Sequence, residues 1–530
     1  MKLKSLIKPN HGDFDFDRLY QKWKFLRSVY TDVPQDKKQA RQKPQRDSTG
    51  KKIKIKNPNQ LYYVGTIPKA FVKLATSLKR IGVQYTEDLG TLLPGYLDST
   101  RILGMNLRSM NPGWKYILGY QPDTADINGF AAKGLLTRSE LFNQLIQQRY
   151  NQHINITAQI SPVRDLNVDI TFDRVFDKNY SELEKDTTGT SGISRLNPYA
   201  TGSFSMTYIS YQTLFNKFDP NEISETFRQF ESNRAILAKR LGDLNPYGPG
   251  GYGRYAQDVL IPSFLAAYTK QDPTSIQLIK NSNPNLRANP FSSLLPKPNW
   301  NITYNGLTRI KGLEKVFTNF TLRHGYDSHL SMNSFTTALL FEDPFHYGYP
   351  SFIDTATGSY IPYFLVPNIS IVENFNPLVG FDATFTNQLS TRFEYKKSRT
   401  LSLSLIDYQL AETLSTEFTI GADFRRKGVT LFQNMKIGKN GKKLDNDITF
   451  RFDYSFRDDA TANTKLDQNT SFGTSGQKVT RLAPSIDYVV NNRVQLKFYY
   501  EKNKIIPKIA TTAPITTTRA GVQIRISLAQ

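Results

Sequence analysis

Apolar and polar residues alternate with a period of two along much of this chain. Between Asp447 and Arg457, every second position is apolar or aromatic, and charged or hydroxyl side chains fill the positions between. The same alternation is found at 154–160, 166–173, 204–208, 300–304, 400–405, 417–420, 494–498 and 522–528. Successive side chains of a β-strand point to opposite sides of the sheet, so the pattern predicts strands with one apolar face and one polar face.

Short polar connections at 161–165, 386–389 and 490–493 predict turns between neighbouring strands. The segments amount to roughly 14 strands of about 9–15 residues, which suits tilted strands that cross a bilayer. A soluble β-sandwich also alternates, but its strands usually run about 5–6 residues and bury a mostly aliphatic face. Long strands with an aromatic face and a charged face favour an all-β fold, an antiparallel transmembrane β-barrel segment with a few short helices and long loops.

The irregular stretches divide the chain into three predicted parts. Residues 1–66 combine barrel strands with a basic loop, 67–300 combine strands with helical and Gly/Pro-rich insertions, and 301–530 are regular antiparallel strands. Helices are predicted at 66–79, at 138–148 and from Asp219 to about Arg240, where an aspartate precedes proline. The cluster at 245–254 lacks the Lys-Ser/Thr pair of a phosphate loop and predicts a surface loop. Such insertions suit a barrel whose loops cap the pore or hold partners.

Composition excludes several classes of function. The net charge is +22 and the pI is near 9.6, yet the densest basic stretch, 37–56, contains no aromatic residue on which a nucleic acid base could stack. We therefore expect no nucleic acid partner. The absence of cysteine excludes disulfides, thiolate metal sites and a cysteine nucleophile. Tyrosine (29) and phenylalanine (34) are abundant, whereas tryptophan (3) is scarce, so the aromatic faces are built from the first two.

No catalytic, cofactor-binding or metal-binding residues are predicted, and the residues that would line a channel are left unassigned. His324 and His329 are five positions apart on a predicted strand, so they face opposite sides and cannot share a metal ion. His11, His153 and His346 are isolated, and no carboxylate spacing demands acid–base chemistry. The chain is accordingly expected not to be an enzyme and to need no cofactor.

Export and membrane signals are sparse. The longest apolar stretches, such as 258–268, fall short of the roughly 18 residues of a spanning helix. The segment 1–9 is basic but lacks the apolar core, about 7–15 residues long, of a signal peptide. The chain is therefore either cytoplasmic or directed by a signal outside this sequence.

Many ordered segments of the chain resemble the C-terminal third of the SprA/Sov family. The matching segments are 83–96, 111–122, 230–234, 251–254, 257–264, 299–307, 393–402 and 525–530, and 13–20 resembles a family strand. They occur in the family's order and cover nearly everything from about Pro68 to the last residue. Two features depart from the family: its members are far longer and carry a signal peptide, and the basic loop has no counterpart. The chain also ends in Gln530 and not in the aromatic residue that closes many barrels, although Ala529-Gln530 resembles the end of this family.

The resemblance implies the outer-membrane translocon of the type IX secretion system of Bacteroidota, which is linked to gliding motility. It implies location in the cell outer membrane, a PorV-like shuttle protein and a periplasmic plug protein as partners, and secreted proteins as cargo. Family barrels are exceptionally large, so this chain would form only part of one. Its edge strands would need a missing N-terminal barrel portion, because bare backbone groups in lipid cost several kcal/mol each.

Two alternatives stay open: a β-rich surface adhesin, and another outer-membrane barrel of porin or transporter type. A continuous band of aromatic side chains about 25 Å tall around the outside would indicate a barrel in lipid. Aromatic side chains packed into a dry core between two sheets would indicate a sandwich instead.

Overall fold

The structure is a computed structural model that describes residues 2–23, 26, 72, 76–101, 104–186, 193–279, 289–429, 447–466, 470–490, 494–509 and 512–526. Its strands are β1 (Lys2–Asp15), β2 (Leu78–Leu93), β3 (Ile146–Ile160), β4 (Leu166–Asp186), β5 (Ile193–Thr207), β6 (Asn299–Tyr304), β7 (Phe317–Thr337), β8 (Ile353–Asp354), β9 (Ser359–Tyr360), β10 (Phe364–Leu365), β11 (Asn368–Phe385), β12 (Leu389–Ser404), β13 (Gln409–Arg426), β14 (Ile448–Lys465), β15 (Thr470–Leu482), β16 (Ser485–Val489), β17 (Val494–Pro507) and β18 (Ile515–Ile526). The predicted all-β class is confirmed.

Sixteen of these strands form one sheet in which every pairing is antiparallel. The order is β1-β2-β3-β4-β5-β7-β11-β12-β13-β14-β15-β17, and β18 pairs with β17. We call the end of the sheet that carries the turn 161–165 its lower end, and the opposite end, where 94–145 and 338–367 connect strands, its upper end. Among the described strands, β1 pairs only with β2 and β18 only with β17, so both are edges.

At two positions in the strand order, two shorter strands lie end to end beside one longer neighbouring strand. The upper part of β4 pairs with β5 and its lower part with β6, and the chain between them, 208–298, leaves the sheet as an insertion. In the second case β15 and β16 are separated only by Ala483 and Pro484. Proline has no N–H to donate to a ladder, but the Pro484 carbonyl still accepts a 3.0 Å hydrogen bond from the Tyr500 amide.

The helices are α1 (Phe16–Lys22), α2 (Trp114–Ile117), α3 (Thr124–Ala132), α4 (Glu225–Leu244) and α5 (Gln257–Tyr268). Within the described ranges, none of them combines the length and the apolar character that a membrane-spanning helix requires.

The two insertion helices, α4 and α5, pack on one face of the sheet and form the largest core with it. From the helices come Phe227, Phe230, Leu237, Leu241, Val259, Phe264 and Tyr268, and from the strands Phe176, Phe204, Leu330, Ile371, Leu401 and Leu403. Every residue of α5 from Val259 to Tyr268 is buried. The segment 258–268 is too short for a membrane helix, and its apolar character is explained by burial between α4 and the sheet.

Two helix predictions need correction, and a third falls mostly outside the described residues. The helix at 138–148 is wrong: Ile146 and Gln148 are buried alternate residues of β3, held by pairing with β4, and this tertiary pairing overrides the local spacing. The helix expected from Asp219 begins at Glu225, because the Asp219 carboxylate accepts the Asn221 amide in a turn and Ser224 provides the cap. Of the helix expected at 66–79, Val72 is helical and its carbonyl accepts a 2.9 Å hydrogen bond from the Thr76 amide, residues 78–79 begin β2, and most of the other residues lie outside the described ranges.

The structure at the start of the chain also differs from the prediction. The resemblance of 13–20 to a family strand predicts a strand there, but β1 ends at Asp15, whose carboxylate accepts a 3.1 Å hydrogen bond from the Arg18 amide and caps α1. The turn at 161–165 and the loop at 245–254 between α4 and α5 are confirmed, as is the turn at 386–389, although Leu389 already begins β12. The third predicted turn, 490–493, lies mostly outside the described residues. The basic loop at 37–56 lies outside the described residues.

We expect substitution of Ser224 by alanine to destabilise the insertion by about 1 kcal/mol. The Ser224 hydroxyl accepts a 3.1 Å hydrogen bond from the Phe227 amide, one of the N–H groups that α4 leaves without a helical partner. Denaturant titration of the full chain should show the loss. Ser232 lies exposed in the middle of the same helix, so Ser232→Ala should be neutral or slightly stabilising; equal losses in both variants would contradict the capping role.

Candidate channel wall

The strand register divides the sheet into two faces of opposite chemistry. In β14, Ile448, Phe450, Phe452, Tyr454 and Phe456 point to the side on which the insertion packs, and the residues between them point to the other side. We call these sides the apolar face and the polar face. The assignment follows from alternation within each strand and from the paired positions of its neighbours. The two-faced strand predicted at 447–457 is therefore confirmed.

The lower half of the apolar face is a band of aliphatic and aromatic side chains that continues from strand to strand. Its members include Val83 and Tyr85 of β2, Ile154 and Ile156 of β3, Val168 and Phe172 of β4, Phe381 of β11, Phe393 of β12, Phe418 and Ile420 of β13, Phe498 of β17 and Ile524 of β18. Many are substantially exposed, for example Phe452 at 43% and Ile524 at 61%. No second sheet covers them within the described ranges, so this band is not the dry core of a sandwich.

The upper edge of this band descends steadily across the sheet. One row of paired residues runs from Leu166 in β4 through Tyr454 in β14 to Lys502 in β17. In β4 the band reaches Phe172, six residues above this row, whereas in β17 it ends at Tyr500, two residues below it.

This descent gives the inclination of the strands to the band. Eight residues of descent correspond to about 27 Å along the strands, and the eight strand spacings from β4 to β17 to about 38 Å across them. The ratio is an inclination of about 35°, at the lower end of the tilt of about 35–45° that transmembrane β-strands adopt. A level band crossed by tilted strands has this geometry.

The polar face carries cross-strand ion pairs in place of apolar contacts. Its cross-strand pairs include Arg323–Glu394 at 3.0 Å, Arg392–Asp382 at 3.1 Å, Arg451–Asp487 at 3.2 Å, Arg481–Glu501 at 2.8 Å and His153–Asp173 at 2.9 Å, and Arg457–Asp459 at 2.9 Å is a further pair within β14. Pairs this exposed stabilise a sheet by about 0–1 kcal/mol each, so their main effect is to keep the surface hydrated and nearly charge-balanced. Such a surface suits the wall of a water-filled lumen.

The lower end of the polar face has a basic hollow of about 410 Å³ near β14 and β18. Arg425, Arg451, Lys497 and Arg525 line it, together with the carboxylates of Asp447 and Asp487 and several uncharged residues. Asp447 is held by Arg425, and Asp487 by Arg451. The cations outnumber the anions, so this part of the polar face has a positive potential.

A buried cluster of charged residues binds the start of the insertion to the apolar face. Arg399 of β12 and Glu373 of β11 are 2% and 0% exposed, and the Arg399 Nε donates to a Glu373 carboxylate oxygen at 2.6 Å. The Arg399 Nη2 donates to the Ser210 carbonyl at 3.2 Å and to the Thr213 hydroxyl at 2.9 Å. The Glu412 carboxylate of β13 lies 3.6 Å from the same guanidinium. One arginine therefore connects three strands to the first turn of the insertion.

The second carboxylate oxygen of Glu373 also accepts hydrogen bonds, one from the insertion and one from β7. It accepts hydrogen bonds from the Ser210 hydroxyl at 2.7 Å and from the Tyr326 hydroxyl at 3.1 Å, and the Tyr326 oxygen accepts the Ser210 amide at 3.1 Å. A buried carboxylate needs such a complete set of donors, because an unpaired charge there is costly.

The insertion thus covers the apolar face and not the polar face. Insertions of this kind are expected to cap a pore or hold partners, and α4 and α5 lie on the side of the sheet opposite the polar face. The physical reason is that the upper apolar face would otherwise expose Leu330, Ile371 and Leu401 to water.

The histidines are placed as expected. His324 and His329 point to opposite faces of β7, where His324 Nδ1 donates to the Leu378 carbonyl at 2.6 Å and His329 lies 3.3 Å from Asp327. No group of metal-ligating side chains occurs among the residues that the structure describes. Sequence reasoning missed Glu373 and Arg399, although each interrupts an apolar run at alternate positions (Ile369 and Ile371 in β11, Leu401 and Leu403 in β12).

Fold and surface together define an all-β protein whose single broad antiparallel sheet has one apolar and one polar face. No protein-family model matches the chain, and none of the curated proteins matches it. A solved structure that matches is that of the RagAB peptide transporter, with a TM-score of 0.25 and 8% sequence identity over 82% of this chain. The match covers 46% of that structure's chain, so this chain spans about half of its length.

Proposed function

We propose that the chain forms part of the wall of an outer-membrane channel that exports proteins, of the type IX secretion kind. The observation that carries the proposal is the pair of faces: a level apolar band suited to lipid lies behind a polar, charge-balanced surface suited to a wide aqueous lumen. The ordered resemblance to the SprA/Sov family, from about Pro68 to the last residue, supports the export role and a link to gliding motility. The chain would act as a passive conduit without a reaction or cofactor of its own.

The edges of the sheet support a wall that continues beyond the described strands. The N–H and C=O groups along the free sides of β1 and β18 cannot remain unpaired in lipid, where each costs several kcal/mol. We propose that both edges pair with an N-terminal barrel portion, and that a PorV-like shuttle protein and a periplasmic plug protein complete the assembly. The apolar band would contact outer-membrane lipid, and no nucleic acid would take part.

A pair of neighbouring residues tests the proposal directly. Thr419 and Ile420 are adjacent in β13 and point to the polar and apolar faces. Because the chain has no cysteine, single cysteines at these positions can be labelled without background in cells that make the protein. A water-soluble maleimide should modify Thr419→Cys, whereas Ile420→Cys should react only with a lipid-soluble reagent.

The export role needs a second readout on the same pair. A photoactivatable cross-linker at position 419 should capture secreted proteins, and the same cross-linker at 420 should not. If position 419 is labelled from water but captures no secreted protein, the membrane barrel is supported and the export role is refuted. A porin-like or transporter-like role would then be favoured. Equal labelling of both positions by the water-soluble reagent would overturn the membrane barrel and favour an adhesin.

A further inference from the structure

The apolar face changes abruptly from apolar to basic at the upper edge of the band in β15 to β18. Below the edge lie Ile486, Phe498, Val522 and Ile524, with Tyr500 at the boundary. Directly above Tyr500 come Lys502 and Lys504, which pair laterally with Thr518 and Thr516. The two lysines are exposed, and alternate residues of a strand place their Cα atoms about 7 Å apart on the same face.

Acidic residues that could neutralise these lysines lie elsewhere. The acidic side chains within β15 to β18 are Asp487 and Glu501, and the register turns both towards the polar face. On the apolar face of the neighbouring β14, Asp458 is already held by Lys508 and lies 4.0 Å from Lys478. Over the described part of the chain, neither Lys502 nor Lys504 has an ion-pair partner.

We propose that Lys502 and Lys504, with the hydroxyls of Thr516 and Thr518, bind the phosphate of a lipid headgroup at the membrane surface. The inference rests on the proposed function, because it requires the apolar band to lie in a bilayer. The band then places Tyr500 at the interface, where aromatic residues accumulate, and holds the lysines at headgroup level. Two ammonium groups and two hydroxyls match a phosphate in charge and hydrogen bonding. The lipid's acyl chains would continue down the band over Phe498 and Val522.

Lipid nanodiscs test this with the full chain and its native barrel partners. The preparation is inserted into discs of phosphatidylcholine alone or with phosphatidylglycerol, and the bound phosphatidylglycerol is measured by native mass spectrometry. Wild type should retain phosphatidylglycerol. Each of Lys502→Gln and Lys504→Gln should weaken retention about fivefold, and the double variant should lose nearly all of it.

The control is Lys497→Gln, which removes a lysine from the same strand but from the polar face; it should retain phosphatidylglycerol like wild type. Added inorganic phosphate should not displace the lipid, and displacement would assign the site to a free anion and overturn the proposal. Equal retention by the double variant and wild type would also overturn it. If the protein enters both kinds of disc but the double variant retains phosphatidylglycerol like wild type, only the lipid site is refuted and the membrane barrel still holds. If the protein enters neither kind of disc, the proposed function itself is refuted.

Discussion

Replacing Arg399 with alanine is expected to destabilise the protein by about 3–5 kcal/mol. The guanidinium is 2% exposed and bonds to the fully buried Glu373. Removing it leaves that carboxylate, and the neighbouring Glu412, buried without the guanidinium that pairs with both. The insertion also loses the two hydrogen bonds that Arg399 donates to Ser210 and Thr213. We therefore expect α4 and α5 to detach from the sheet before the strands separate.

Limited proteolysis measures this detachment, because cleavage within 208–298 should accelerate while the strands stay protected. Arg392→Ala is the matched control: Arg392 lies in the same strand, pairs with Asp382, and its side chain is 57% exposed. That change should cost at most about 1 kcal/mol. Equal protease sensitivity in the two variants would contradict the role of the buried cluster.

A double variant separates the buried charge from the rest of the site. Arg399→Met combined with Glu373→Leu removes both members of the principal pair and replaces them with apolar side chains. Such replacements are often neutral, so the double variant should be more stable than Arg399→Ala alone. If it is less stable, the loss in Arg399→Ala does not come from an uncompensated Glu373 carboxylate.

Replacing Phe452 with arginine is expected to cost about 2–4 kcal/mol in a bilayer, because the charge enters the middle of the apolar band. Ser455→Arg, three residues along the same strand, places the same charge on the polar face and should cost almost nothing. The free energy of unfolding from phospholipid vesicles, measured by denaturant titration, gives both values. Similar losses in the two variants would contradict the assignment of the faces.

Depth along the band gives a further control. Ile524 and Thr516 lie on the apolar face of the same strand, β18, but Thr516 is above the band's upper edge. Ile524→Arg should be costly, whereas Thr516→Arg should be close to neutral, since the cost falls to about 0–1 kcal/mol near the interface. A soluble sheet would show no such gradient.

Much of the fold can be predicted from local sequence patterns. The two wrong helix predictions share one cause, which is that tertiary contacts decided the local structure. Alternation at 447–457 and 494–498 predicts strands and faces correctly, because the direction of a side chain depends only on its position in its own strand. The spacing at 138–148 is compatible with a helix, and only pairing with β2 and β4 decides that Ile146 begins a strand. Asp219 and Ser224 are both suitable helix caps, and the packing of Phe227 and Phe230 against the sheet selects the second.

The sequence by itself determined that this is an all-β protein with long two-faced strands, because period-two alternation is a local property of each segment. It also determined that one face is apolar and the other polar, since the residue types at alternate positions are given by the sequence itself. Tertiary structure alone decided the register, and with it the inclination of about 35° of the apolar band, which requires residues from Leu166 to Lys502 to be aligned across many strands. It likewise decided that the insertion covers the apolar face, since the bonds of Arg399 to Ser210 and Glu373 join positions far apart in the chain.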